Sequence, residues 1–484
     1  MTDGGRGSAL GELVAFRQGF YDCLTARADA LFELCEAVLC TDGPVRSLVG
    51  LSLAPEHRRG HGALYDAVNH GKVEIERLRT ALAGVRLPRA AGGRLVMAVD
   101  VSPWLRPDGA TCPDRSFCHT YGRGRNEHQM IPGWPYSIIA ALETGRTSWT
   151  APLDAQRLAP GADLAAVTTA QIRDLAQRLI AAGQWREEDP RMLFVLDAGY
   201  DAPRIAYLLR DLPVQILARM RSDRVLRRAA GEHRHNPAGG RPPKHGAEFV
   251  FKDPSTWGGE DVVTSTDTRL YGTAAVQAWD RVHPMLTRRS AWSTHEGELP
   301  IIEGTVIRLR VEHLPSGGVN KPVWLWWSGV EATADDVDRC WRMFLRRFDI
   351  EHTFRMWKQT LGWTRPQLRD PQAADRWTWL TLVAYTQLRL TRPLAEDLRR
   401  PWEKPAEPQR LTPARVRRGF RYIRTKTGSP TAAPKLTQPG PGRPTGSKNR
   451  QRATRHDVGL ILATGQAHTR PTHHKKGTKP RRAG

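Results

Sequence analysis

The chain has 484 residues, 40 % of them hydrophobic, enough for more than one domain and a sizeable core. No stretch approaches the roughly 18 apolar residues of a membrane span, and MTDGGRGSALGELVAF lacks the basic start and apolar run of a secretory signal. Cys23, Cys35, Cys40, Cys112, Cys118 and Cys340 form no CxxC pair, so a reduced cytoplasmic protein is expected rather than a disulfide scaffold. The net charge is +23; residues 401–484 hold 20 Lys and Arg against 3 Asp and Glu, so +17 of it sits there. A basic tail on a mildly basic body points to a polyanion, most simply nucleic acid, and so to a nucleoid-associated protein. A tail kept for solubility is the competing explanation, but acidic residues would serve that better. The excess of arginine over lysine, with abundant Ala, Gly and Pro, is also what a high-GC bacterial genome produces.

Residues 1–90 read as a helical, DNA-binding domain. ALGELVAFRQGFYDCLTARADALFELCEAVL has apolar residues at helical spacing, and EIERLRTALAGV closes a later helix. The basic, His-rich LVGLSLAPEHRRGHGALYDAVNHGK between them suits either a DNA-contacting unit or a bundle surface. At 94 the period changes. RLVMAVDVSPW, YSIIAALE and SWTAPLDAQRL read as strands, ADLAAVTTAQIRDLAQRLIAAG as an amphipathic helix, RMLFVLDAGYD as a strand, APRIAYLLRDL as a helix and PVQILARM as a strand. The order β-β-β-α-β-α-β predicts an α/β, ribonuclease H-like mixed sheet over 91–221. Short strands between Gly/Pro loops predict a β-rich insertion over 222–333. Helix returns over 334–361, 372–390 and 413–423, and 334–395 completes the core. Residues 396–484 read as a basic, largely disordered tail.

Asp100 lies in the first core strand and Asp197 ends the fourth. In such a sheet these strands are central neighbours, so the two carboxylates face each other across about 4.8 Å. Like charges that close are costly unless a cation lies between them, and hard oxygen ligands suit Mg²⁺ or Mn²⁺. Two such ions can activate a water or a 3′-hydroxyl on one side of a phosphorus and stabilise the leaving oxygen on the other. On WRMFLRRFDIEHTFRMWKQT, at about 100° per residue, Phe344, Arg347, Glu351 and Lys358 fall within roughly 60° of one another. Glu351 would be the third ligand. The alternative is a solvated helix face with Glu351 paired to Arg347 and Arg355.

Phe344-x2-Arg347-x3-Glu351-x6-Lys358 resembles the Y-x2-R-x3-E-x6-K signature of bacterial insertion-sequence DDE transposases, with Phe for Tyr. The resemblance extends to Asp100, to Asp197-Ala198-Gly199-Tyr200 and to the long β-rich insertion, roughly 94–390 in all. It implies that Asp100, Asp197 and Glu351 are catalytic and bind two divalent ions, and that Arg347 and Lys358 contact DNA backbone near the transposon end. Phe344 has no hydroxyl to bond the terminal phosphate, so stacking or packing is its expected role. A cationic pair beside a metal-binding Glu is consistent with a phosphate between them. Family insertions also carry a tryptophan that stacks on a flipped base; Trp324, Trp326 and Trp327 are the candidates, with a strand burying them as the alternative.

Asp201 is expected to cap the helix that starts at Ala202. Cys118, His119 and His128 match no tight zinc spacing and read as a loop. Two GRP cores, with Arg241 in the insertion and Arg443 in the tail, resemble AT-hooks that lay arginine in the minor groove. The whole predicts a cut-and-paste transposase acting as a homodimer on DNA, away from membranes. The alternatives are a catalytically inactive, repurposed DNA-binding protein and a nuclease that hydrolyses without strand transfer.

Overall fold

The computed structural model describes residues 3–121, 128–145, 147–231, 243–314, 317–318, 320–435, 444–447, 451–458, 460–461 and 467–468. Arg241 and Arg443 lie outside the described residues. The N-terminal part is helical: α1 (Asp3–Asp22), α2 (Ala28–Cys40), α3 (Leu48–Ser52), α4 (His61–His70) and α5 (Ile75–Gly84), with a small ribbon of β1 (Leu24–Ala26) and β2 (Lys72–Val73).

The core follows as β3 (Val96–Leu105), β4 (Ser116–Tyr121), β5 (His128–Leu142), β6 (Thr150–Arg157), α6 (Leu164–Ala181), β7 (Met192–Leu196), α7 (Ala202–Leu208) and β8 (Val214–Met220). Strands β8, β7 and β3 run parallel, and β5 lies antiparallel to β3. This is the ribonuclease H-like arrangement expected, with one strand more. Residues 116–121, read as a loop, form β4, which pairs with the extended first half of β5. Cys118 and His119 therefore sit opposite Ile131 and Met130 in a ladder. Strand β6 pairs with the second half of β5 along the same edge.

After a ribbon of β9 (Val225–Arg227) and β10 (Glu248–Val250) come β11 (Val262–Thr268), β12 (Gly272–Val282), β13 (Gly304–Val311) and β14 (Val323–Trp327). These four do not form a separate sheet. Strand β14 pairs antiparallel with β8, so the insertion extends the core to ten strands, ordered β11-β12-β13-β14-β8-β7-β3-β5, with β4 and β6 at the far edge. The chain then forms α8 (Ala334–Arg346), α9 (Asp349–Gln359), α10 (Pro371–Thr391) and α11 (Pro413–Thr427).

The two-residue period of the strands assigns each face. Met97, Val99, Phe194 and Ile216 pack in one hydrophobic layer with α5, α6 and α7; Val96, Ala98, Val195 and Leu217 pack in the other with α1, α2, α9, α10 and α11. Helix α10 is buried along nearly its whole length, as its run of Trp, Leu, Val and Ala requires, and α1, α2 and α11 pack on it. Position 90 is therefore a change of secondary structure and not of packing: the N-terminal helices share their core with the sheet.

The tail is folded further than its composition indicates. Val416, Phe420 and Ile423 bury one face of α11, and Leu411 just before it is buried too. Arg417 donates to the carbonyls of Val38 and Gly43, while Arg424 pairs with Glu36 at 2.9 Å. Five arginines and a lysine hide that apolar stripe in a composition count. Arg58 and Arg59 of the His-rich stretch are likewise used internally, on Glu33 and Asp29.

All three candidate stacking tryptophans are buried in β14. Trp324 and Trp326 pack into one layer and Trp327 into the other. Trp324 stacks on Phe251 with ring centroids 4.4 Å apart. Truncating Trp326→Ala should remove about 3–5 kcal/mol of stability by chemical denaturation, as expected for a fully buried tryptophan, and leave the DNA affinity of the folded fraction unchanged. Loss of affinity at full stability would instead make it a base-stacking residue.

Candidate active site

Strand β3 pairs with β7 in the register Val96–Leu193, Met97–Phe194, Ala98–Val195. Continuing that register by two residues sets Asp100 level with Asp197, which directly follows β7. By the same alternation both side chains fall on the sheet face covered by α8 and α9. Asp100 is held within the β3–β5 ladder opposite Ile138, and its Oδ1 accepts the Val101 N–H at 2.8 Å.

The helix carrying the basic–acidic row is two helices. Residues 347–348 interrupt it as a turn, in which the N–H groups of Ile350 and Glu351 reach back only three residues, to Arg347 and Phe348. Neither Gly nor Pro marks this break. Asp349 and Glu351 stand in the first turn of α9, where carboxylates favour a new helix N-terminus, and Arg346 pairs with Asp349 across the turn. Glu351 consequently pairs with neither Arg347 nor Arg355, contrary to the solvated-face alternative.

Arg347 turns inward. Its Nη1 lies 2.9 Å from Asp100 Oδ2 and its Nη2 3.7 Å from Asp197 Oδ2, so one buried guanidinium spans both aspartates. Its carbon end stands 6.0 Å from the Phe344 ring centroid, and Phe344 is half-buried against the core. Lys358 comes from the next two turns of α9. Burial lowers its ammonium below the usual lysine range, and the charges of Glu351, Cys118 and Asp100 partly oppose this. The sheet and the turn thus bring together Asp100, Asp197, Arg347 and Phe344, with Glu351 and Lys358 of α9 electrostatically coupled to Asp100.

Three observations bear on a metal. Burial pushes the Asp100 carboxyl up to about 6; Arg347 opposes this, while Glu351 and Asp197 add to it. Asp197 Oδ1 and the Tyr200 hydroxyl are buried with no hydrogen-bond partner among the described residues. Among the described residues no three acidic, His or Cys side chains already surround one point. Hard carboxylate oxygens, one of them orphaned and one paying a burial penalty, fit divalent cations; Arg347 now stands between them.

Two neighbours escaped sequence reasoning. Tyr200 is buried against Asp100 and Arg347, and burial pushes its phenol well above the ordinary range. The DxGY stretch was the available signal. Phe348, 66 % exposed, projects at the turn beside Arg347. Its signal was an aromatic residue off the apolar face of the helix. Asp201 caps α7 through the Arg204 N–H, as expected.

A raised carboxyl is one that folding prefers protonated. Its contribution is therefore fully present below the unfolded value near 3.8 and is lost as pH rises through about 6. In EDTA, Asp100→Asn should melt above wild type at pH 7.5, by up to about 3 kcal/mol, with the gap closing towards pH 5. Equal melting curves across that range would contradict the burial of a strained charge.

No curated protein matches the chain. A family model described as DDE superfamily endonuclease matches residues 19–285, more than half of the sequence, covering both aspartates and ending before Glu351. The chain belongs to the DDE superfamily of endonucleases.

Proposed function

We propose that this protein is a bacterial insertion-sequence transposase of the cut-and-paste kind, cleaving DNA at element ends and joining the 3′-hydroxyl to target DNA. The observation that carries the reading is the convergence of Asp100 and Asp197, level on adjacent parallel strands, with Glu351 and Lys358 of α9. The family supplies endonuclease chemistry on DNA with divalent metal ions. The +17 of residues 401–484 supplies attraction to a polyanion.

Asp100, Asp197 and Glu351 are the residues that would hold the ions, Mg²⁺ or Mn²⁺. When bound, such ions activate a water or a 3′-hydroxyl and stabilise the leaving oxygen. The chain's own residues do the rest. Lys358, partly desolvated, presents a point charge to a backbone phosphate, and Arg347 a two-pronged one. Phe344 lies beside Arg347, its ring centroid 6.0 Å from the guanidinium carbon. Burial of Asp100 and Tyr200 keeps water away from the floor of the site. Arg443 and Arg241 are proposed minor-groove contacts. Two ends must be held together, so the active form on DNA is a homodimer. No described helix is long and apolar enough to cross a membrane.

A strand-joining assay tests transposition against simple hydrolysis. A duplex from the DNA flanking the gene, with a free 3′-hydroxyl, is incubated with supercoiled plasmid and Mg²⁺. Joined products are expected. Lys358→Ala should reduce them and lower the slope of log affinity against log salt by about one. Cleavage without joining would favour a hydrolytic nuclease, and binding with neither would favour a repurposed DNA-binding protein.

A further inference from the structure

Arg347 does something a plain DNA contact would not. Its guanidinium holds Asp100 at 2.9 Å and Asp197 at 3.7 Å, and it is buried while doing so. It thereby neutralises the pair of carboxylates that the strand register sets side by side. It also sits at the interruption between α8 and α9, where the backbone is held by three-residue bonds and Phe348 is exposed to solvent. That is a place from which a side chain can leave without unravelling a helix.

A divalent cation between the same carboxylates would meet the guanidinium at contact distance, and like charges so close repel strongly. The two occupants exclude each other. A phosphodiester offers the guanidinium an alternative partner of matching geometry, with two acceptor oxygens for its two nitrogens. We propose that Arg347 is a resident counter-ion that keeps metal out of the site until DNA draws it away, so that divalent cations and a phosphodiester bind cooperatively. This rests on the reading of Asp100, Asp197 and Glu351 as metal ligands. By linkage the effect is reciprocal: DNA tightens metal binding and metal tightens DNA binding by one factor.

Mn²⁺ titration of the full chain, followed by electron paramagnetic resonance, separates the possibilities. Wild type, Arg347→Gln and Arg347→Ala are compared with and without a saturating flanking duplex, after melting curves establish that each is folded. Without DNA, both variants should bind Mn²⁺ about ten-fold more tightly than wild type, or more. The duplex should tighten Mn²⁺ on wild type and leave the variants nearly unchanged. Asp197→Asn in the Arg347→Gln background tells whether the acids hold metal at all. If that change weakens Mn²⁺ but Arg347→Gln had not strengthened it, the counter-ion role is overturned and the metal ligands stand. If no form binds Mn²⁺, with or without duplex, the metal reading falls and the counter-ion role with it.

Discussion

The rest of this structure depends on two carboxylates held level at the centre of a sheet. Parallel pairing of β3 with β7 sets Asp100 beside Asp197, and burial makes the charge of Asp100 expensive. Every charged group of the site is arranged around that cost. Arg347 spans the pair; Lys358 and Glu351 approach from the following helix. The break between α8 and α9 is intelligible in these terms. In an unbroken helix Arg347 and Glu351 would be neighbours one turn apart and would tend to neutralise each other. The turn frees Arg347 to reach the strands and leaves Glu351 without an ion pair among the described residues.

Placing such a site requires a stiff platform. Helix α10 serves as the central strut of one layer, with α1, α2 and α11 packed on it. On the other layer the fully buried Asp154 of β6 accepts from Arg79 of α5 at 3.0 Å and lies 3.4 Å from Arg178 of α6, fixing two helices to the sheet edge. The insertion contributes rigidity by prolonging the sheet beyond β8, and its aromatic cluster of Phe249, Trp257, Trp279 and Trp324 closes over the same layer. The arginines of α11 and of the α3–α4 segment are spent on internal carbonyls and carboxylates. Basic composition in those segments is therefore partly architecture.

Much of this was legible in the sequence because it rests on local periodicity. The continuous apolar runs of β3 and β7, the amphipathic α6 and the cap at Asp201 are local signals, and they located the two aspartates. The signature row identified the residues of α9 by type and spacing. What was not legible depends on distant partners. Residues 116–121 become β4 only because β5 offers an edge beyond its pairing with β6. The insertion reads as a separate β-rich unit until β14 pairs with β8. The break at 347–348 carries no Gly or Pro; the partners of the arginine at it, Asp100 and Asp197, lie some 250 and 150 residues earlier in the chain. The burial of α11 is concealed by its six basic residues.

The most direct measurement is a cleavage assay on labelled duplex spanning the flanks of the gene, with Mg²⁺ or EDTA, comparing wild type with Glu351→Gln. The account predicts metal-dependent nicks at a repeat boundary, lost by about a hundred-fold or more in Glu351→Gln while DNA binding persists. Tight binding by wild type with no cleavage in Mg²⁺ or Mn²⁺, or undiminished cleavage by Glu351→Gln, would contradict it.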